Sequence, residues 1–244
     1  MASLWRLTAV EFRYLLKIKE LWLAMAAIIF YTGAIYLYTK DDIPLTTDDY
    51  YYQLINDVSF YVFILVPAFV LSKDYSFKTI RILYTGPFSK NKIVCSKFLS
   101  VFVFYIVASV VHRVSANGLM LYDVSSFSLQ RLLQEVPQTM LIYAIAGLFT
   151  CALAFFVTLL TYSQMATMIS IVTIFIIEKF SRGVLLLIFP QENVKLVLTH
   201  NPLYIALHSL QYSVMTIMDS FILLMTTLFL GLAICLLLRN KEIQ

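Results

Sequence analysis

Charge is what this chain has least of. Only 13% of its 244 residues are Asp, Glu, Lys or Arg, while 61% are hydrophobic. A water-soluble domain carries about 25% charged and about 45–50% apolar residues. Water could not accommodate that apolar excess, so the solvent is lipid and the expected fold is an all-α integral membrane protein. Glycine is scarce, at six residues, and cysteine scarcer, at three. Cys95, Cys151 and Cys235 are odd in number and lack CxxC spacing, which argues against disulfides or a metal site and for inert thiols. The patterns HExxH and GxSxG are missing, and His112, His200 and His208 are scattered, so neither a catalytic site nor a metal site is expected. No G-x-x-x-x-G-K-[ST] loop occurs, so any nucleotide would bind a separate chain. The net charge of +4 lies beside apolar runs rather than on a basic domain of its own, which excludes nucleic acid as a partner.

What is present is a series of apolar runs. The length fits about six spans in a single transmembrane domain over residues 1–244. The spans fall near 21–38, 54–72, from 98, 138–160, from 165 and 218–238. The first run lacks a cleavage site and is expected to be retained. Residues 1–20 are too charged to cross. On a helical wheel Arg6, Arg13 and Lys17 fall within about 40° of one another, and Leu4, Trp5, Leu7, Phe12, Leu15, Leu16 and Ile18 take the broad opposite side. Glu11 and Lys19 spoil that face a little. The pattern predicts an amphipathic helix lying in the membrane interface, its cations among cytoplasmic headgroups.

Between the first two spans, Asp41, Asp42, Asp48 and Asp49 read as a solvated outer turn, since their spacing is not that of a calcium loop. Pro67 is expected to kink the second span and free backbone carbonyls to bond elsewhere. His112, Arg113 and Asn117 interrupt the third span. They are candidates to line a path through the membrane; alternatively, Arg113 snorkels to outer headgroups. A polar outer connection is expected over 122–136, and the short turn TYSQ (161–164) makes spans four and five antiparallel neighbours. Glu178 and Lys179 are expected to pair with neighbours. Residues 183–217 are neither polar throughout nor long enough to cross, which points to short re-entrant helices sheltered by protein.

With both termini inside, the inner segments hold twelve Lys and Arg residues against six outside. That bias places amino and carboxyl termini in the cytoplasm. Half of the inner twelve lie in one polar interval, 73–97, as Lys73, Lys78, Arg81, Lys90, Lys92 and Lys97, with the single acid Asp74. Read as a helix, 73–85 puts Phe77, Ile80 and Tyr84 on one face and Asp74, Lys78, Arg81 and Thr85 on another. Asp74 precedes Lys78 by four residues, the favourable polarity for a helical ion pair. Gly86-Pro87 then stops the helix.

This interval resembles the loop between spans two and three of type-two ABC exporter permeases. Their pattern is an acid, Gly-Thr, a leucine-rich turn, Pro-hydrophobic-Ser-Arg, and a later Lys opening span three. Asp74 takes the acid's place, Thr79 the threonine's and Leu83 a leucine's, and Pro87, Ser89, Lys90 and Lys97 fill the later positions. Asp replaces the usual Glu, Lys78 stands where Gly is common, and Lys90 stands for Arg.

The resemblance implies a permease half that pairs with a second copy or a paralogue in a bacterial cell membrane. Its coupling helix would rest on an ABC ATPase subunit through Asp74, Phe77, Lys78, Thr79, Arg81, Leu83, Pro87 and Lys90. ATP and Mg would sit on that subunit, leaving this chain without a cofactor. It implies export of amphipathic substrates, such as antimicrobial or cytolytic peptides or drugs. The alternative is a gradient-driven transporter or channel, which would need Glu178, Asp57 or Asp219 as its ion-coupling acid.

Overall fold

The computed structural model describes residues 2–19, parts of 22–34, residues 60, 62–70 and 72–74, then 90–120 and 129–240. Among these the chain is entirely helical apart from short turns. Helix α1 is Ala2–Leu16, and α2 covers 62–70, with residues 72–74 helical beyond it. Then come α3 (Lys90–Met120), α4 (Leu129–Thr161), α5 (Gln164–Ile188), α6 (Glu192–Thr199), α7 (Pro202–Tyr212) and α8 (Ile217–Asn240). Among the described residues, three helices are long and apolar enough to cross a bilayer, at Lys92–Val114, Leu132–Thr161 and Ile217–Arg239. Only parts of the expected first span (21–38) and of the expected second span (54–72) fall within the described residues.

Helix α4 is the centre of the bundle, packing against α3, α5, α7 and α8. Small side chains let it be so. Ala146, Ala152 and Ala154 are fully buried, and residues of this size let backbones approach closely where lipid supplies no hydrophobic drive between helices. Gly147 goes further. A Cβ there would stand 2.6 Å from the ring of Tyr105 on α3, so the missing side chain is the space in which that phenol sits.

Tyr105 also meets the expectation for Pro67. Proline has no N–H, so the carbonyl four residues earlier, that of Phe63, loses its helical donor. The Tyr105 hydroxyl donates to that carbonyl at 2.5 Å and lies 2.7 Å from Thr150 Oγ1 on α4. One phenol thus joins α2, α3 and α4, and the Phe63 ring stacks on it at 5.9 Å.

The expected turn between spans four and five is present. Tyr162 adopts the left-handed conformation (φ 52°), and the Ser163 side chain caps α5 by accepting from the Ala166 amide. Two boundaries differ from the sequence reading. Helix α4 already begins at Leu129, within the stretch expected to be an outer connection. Residues 183–188 continue α5 instead of starting a separate piece.

Two short helices come after α5. Asn201 caps α7 by accepting from the Leu203 amide at 3.0 Å, and Pro202 occupies its first turn, where a missing N–H does no harm. Tyr143 of α4 donates to the Leu210 carbonyl, one of the last in α7 that lack a helical donor. Helix α8 opens with a reciprocal capping box. Thr216 Oγ1 accepts from the Asp219 amide at 3.1 Å, and the Asp219 carboxylate accepts from the Thr216 amide at 3.0 Å.

Replacing Tyr105 by Phe should cost about 1–2 kcal/mol, because the Phe63 carbonyl loses its donor. In a Pro67→Ala background the cost should shrink, since alanine at that position supplies the helical N–H. Gly147→Ala should cost about 1–3 kcal/mol through overpacking against the Tyr105 ring. A double-mutant cycle followed by denaturant titration in detergent micelles checks all three values.

Candidate functional site

Helix α1 ends in a tightened turn, in which the Lys17 and Ile18 amides bond to the carbonyls three residues earlier at 3.0 and 3.1 Å. The Trp22 indole N–H satisfies the Leu16 carbonyl at 2.6 Å. The broad apolar side expected for this helix is divided in two. Leu15 is buried in the bundle, with Phe12 and Ile18 packed beside it, whereas Trp5 (67% exposed) and Leu16 face outward. Glu11 shares the inward face with Leu15, where a lone carboxylate would be costly.

It is not alone. One Glu11 oxygen is 3.2 Å from Lys73 Nζ and the other is 3.0 Å from Lys97 Nζ. Lys97 Nζ also lies 2.6 Å from Asp74 Oδ2. The Lys73 ammonium sits 3.6 Å from the centre of the Tyr14 ring on α1, a cation–π contact. Lys73, Asp74 and Lys97 are all buried. The two acids and two lysines form a neutral group that joins α1 to the helical residues 72–74 and to the start of α3.

Lys73 and Lys97 are therefore not solvated loop cations, as positions in a basic interval suggest, but buried partners of α1. Burial would raise the Glu11 pKa, but Lys97 and Lys73 outweigh it and hold the carboxyl below its ordinary value. Burial depresses the Lys73 pKa, and Lys97 adds to this; Glu11 and Asp74 oppose them only in part. Glu11 is the site residue that sequence reasoning passed over. Its signal was an acid among the inward positions of an amphipathic helix.

Of the residues expected to couple to a partner, Asp74 stands in this network, joined to Lys97. Lys90 begins α3. Phe77, Lys78, Thr79, Arg81, Leu83 and Pro87 lie outside the described residues, and with them the expected Asp74–Lys78 pair.

Further along α3, His112 is buried between the rings of Phe63 (6.4 Å) and Tyr143 (5.8 Å). Arg113 forms an ion pair with Glu135 of α4, a protein partner where snorkelling needs none. Asn117 belongs to α3, but its side chain lies outside the described residues. On α5, Glu178 is paired with Arg182 at 3.2 Å. The Arg182 guanidinium lies 4.4 Å from the Tyr204 ring centre, which attaches α5 to α7.

The family model for the ABC-2 family transporter protein matches residues 7–181. The chain belongs to the ABC-2 transporter family. The matched stretch contains Glu11, Lys73, Asp74 and Lys97 together. No curated protein matches the chain. As an ABC-2 permease it is a multi-pass membrane component of a transport system rather than an enzyme in its own right.

Glu11→Gln should destabilise this ABC-2 permease by about 3 kcal/mol, because it leaves two buried ammonium groups short of a carboxylate. The lowered Glu11 pKa fixes the sign with pH. Its contribution is complete above the unfolded value of about 4.3 and is lost as pH falls through the lower folded value. Thermal unfolding in detergent between pH 6 and pH 3, stepped in intervals of about half a unit across that carboxylate range, should show a shallower acid decline for Glu11→Gln than for the wild type.

Proposed function

We propose that this ABC-2 permease is one transmembrane half of an ATP-driven exporter. The observation that carries the reading is the ion-pair network at both ends of the interval 75–89, within a chain whose family match includes all four network residues. Lys97 is shared by Asp74, at the entrance to that interval, and Glu11, on α1. A push received between residues 75 and 89 reaches both spans and α1 through buried, charge-assisted contacts.

An ABC ATPase subunit supplies the push, with ATP and Mg bound there. It docks on the coupling residues Phe77, Lys78, Thr79, Arg81, Leu83, Pro87 and Lys90, and the buried coupling residue Asp74 passes the push to Lys97. In this reading the single domain 1–244 has six spans, both termini face the cytoplasm of a bacterial cell, and the outer region expected over 183–217 takes in the end of α5 and then the re-entrant helices that follow it. A second copy or a paralogue completes the path, with His112, Arg113 and Asn117 among its lining residues. The substrates are amphipathic, with antimicrobial or cytolytic peptides and drugs the class that the aromatic-rich spans suit.

A gradient-driven carrier would need an acid free to exchange its ion. Asp219 is committed to the cap of α8 and Glu178 is paired with Arg182, which weighs against that role for these two acids, while Asp57 lies outside the described residues.

Mild-detergent purification of the tagged chain from its host should recover an ATPase in stoichiometric amount. Changing Arg81 and Pro87 together should abolish that recovery, and Asp74→Asn should keep the ATPase bound while lowering transport per ATP about tenfold or more. A partnerless oligomer that transports on a proton gradient in ATP-free liposomes would overturn the proposal.

A further inference from the structure

Helix α1 has three sides, and among the described residues only one of them is used by the bundle. That side carries Glu11 and Leu15. The second is an apolar edge on which Trp5 is 67% and Leu16 37% exposed. The third is the strip of Arg6, Arg13 and Lys17, all exposed and none with an ion-pair partner among the described residues. The one acid described on this helix is turned away from the strip, toward Lys73 and Lys97.

An apolar edge beside an unneutralised cationic strip fits one surface above others, a bilayer leaflet carrying negative headgroups. Trp5 and Leu16 enter the acyl boundary, while the three cations lie at headgroup level. A zwitterionic leaflet satisfies the apolar edge but offers the strip no net charge.

We propose that α1 is a docking surface for anionic lipid headgroups and that Glu11 carries its position to Lys73 and Lys97. Lipid charge would then act on the joint at either end of 75–89 without touching that interval. The surface and its test do not depend on the exporter reading, since neither readout involves ATP or transport. The competing occupant, an acidic face of a partner protein, would cover the same strip and exclude lipid from Trp5.

The test uses the full chain in nanodiscs of equal parts phosphatidylcholine and phosphatidylglycerol, with brominated acyl chains on one lipid or the other. The tryptophan signal absent from a Trp5→Phe control belongs to Trp5. Brominated phosphatidylglycerol should quench that signal about twofold more than brominated phosphatidylcholine. The triple variant Arg6→Gln, Arg13→Gln, Lys17→Gln should be quenched equally by both. Equal quenching in the wild type would overturn headgroup selection, and no quenching by either lipid would overturn lipid docking altogether.

The link through Glu11 has its own readout. Wild-type Tm should be higher in phosphatidylglycerol than in phosphatidylcholine, and Glu11→Gln should remove that difference while keeping the Trp5 quenching preference. A lipid-dependent Tm that survives in Glu11→Gln would overturn the link. Should Glu11→Gln fail to fold, Glu11→Asp provides the same comparison, with a shorter reach that should reduce the Tm difference.

Discussion

The Glu11 carboxylate holds one lysine ammonium on each of its oxygens, and the geometry of this end of the bundle depends on it. Taking a lysine charge out of water costs several kcal/mol even after relaxation. Lys73 and Lys97 are both buried, and Asp74 alone could not neutralise the pair. With Glu11 included, two cations meet two anions. The acid comes from a helix that precedes the first span, so α1 is a structural part of the bundle and not an appendage. Its amphipathic pattern turns Leu15 into the bundle and leaves Trp5 and Leu16 exposed, so its apolar residues are divided between two sides.

The rest of the molecule is organised around α4, where side chains have been removed rather than added. Alanines and Gly147 bring α3 close enough for the Tyr105 hydroxyl to reach past α4 to a carbonyl on α2. That carbonyl is available because Pro67 cannot donate to it. A proline without an N–H, a missing side chain and a phenol are thus parts of one device, and each would be a defect without the other two. Since α2 leads directly to Lys73 and Asp74, the same device fixes where those residues enter the ion-pair network.

Much of this was legible before the structure. Composition gave the solvent, the apolar runs gave α3, α4 and α8, and the proline predicted a free carbonyl on the second span. The short turn at 161–164 could also be read. Partner choice could not. Asp74 is joined to Lys97, a contact set by how two helical segments pack and not by local spacing. Glu11 looked like noise on an apolar face because its partners lie sixty-two and eighty-six residues away. Arg131 and Glu135 looked like loop residues because they interrupt an apolar run, although the helix had already begun at Leu129. In each case a long-range contact or a helical extension accommodates a charge that local hydropathy marks as a boundary.

The distribution of charge pairs bears on where motion can originate. Arg113 and Glu135 bridge α3 and α4, Glu178 and Arg182 pair within α5, and Asp219 closes the first turn of α8. Each of these acids is held by a partner on its own helix or the one adjoining, so moving it means breaking a contact that the bundle supplies. Lys97 differs. Its ammonium is shared between carboxylates on two separate elements, Glu11 and Asp74, and displacement toward one shortens that pair as it lengthens the other. Among the described charges, this joint can therefore change its balance without stranding a buried ion. That property suits a place where force enters from outside the membrane better than one where an ion crosses it.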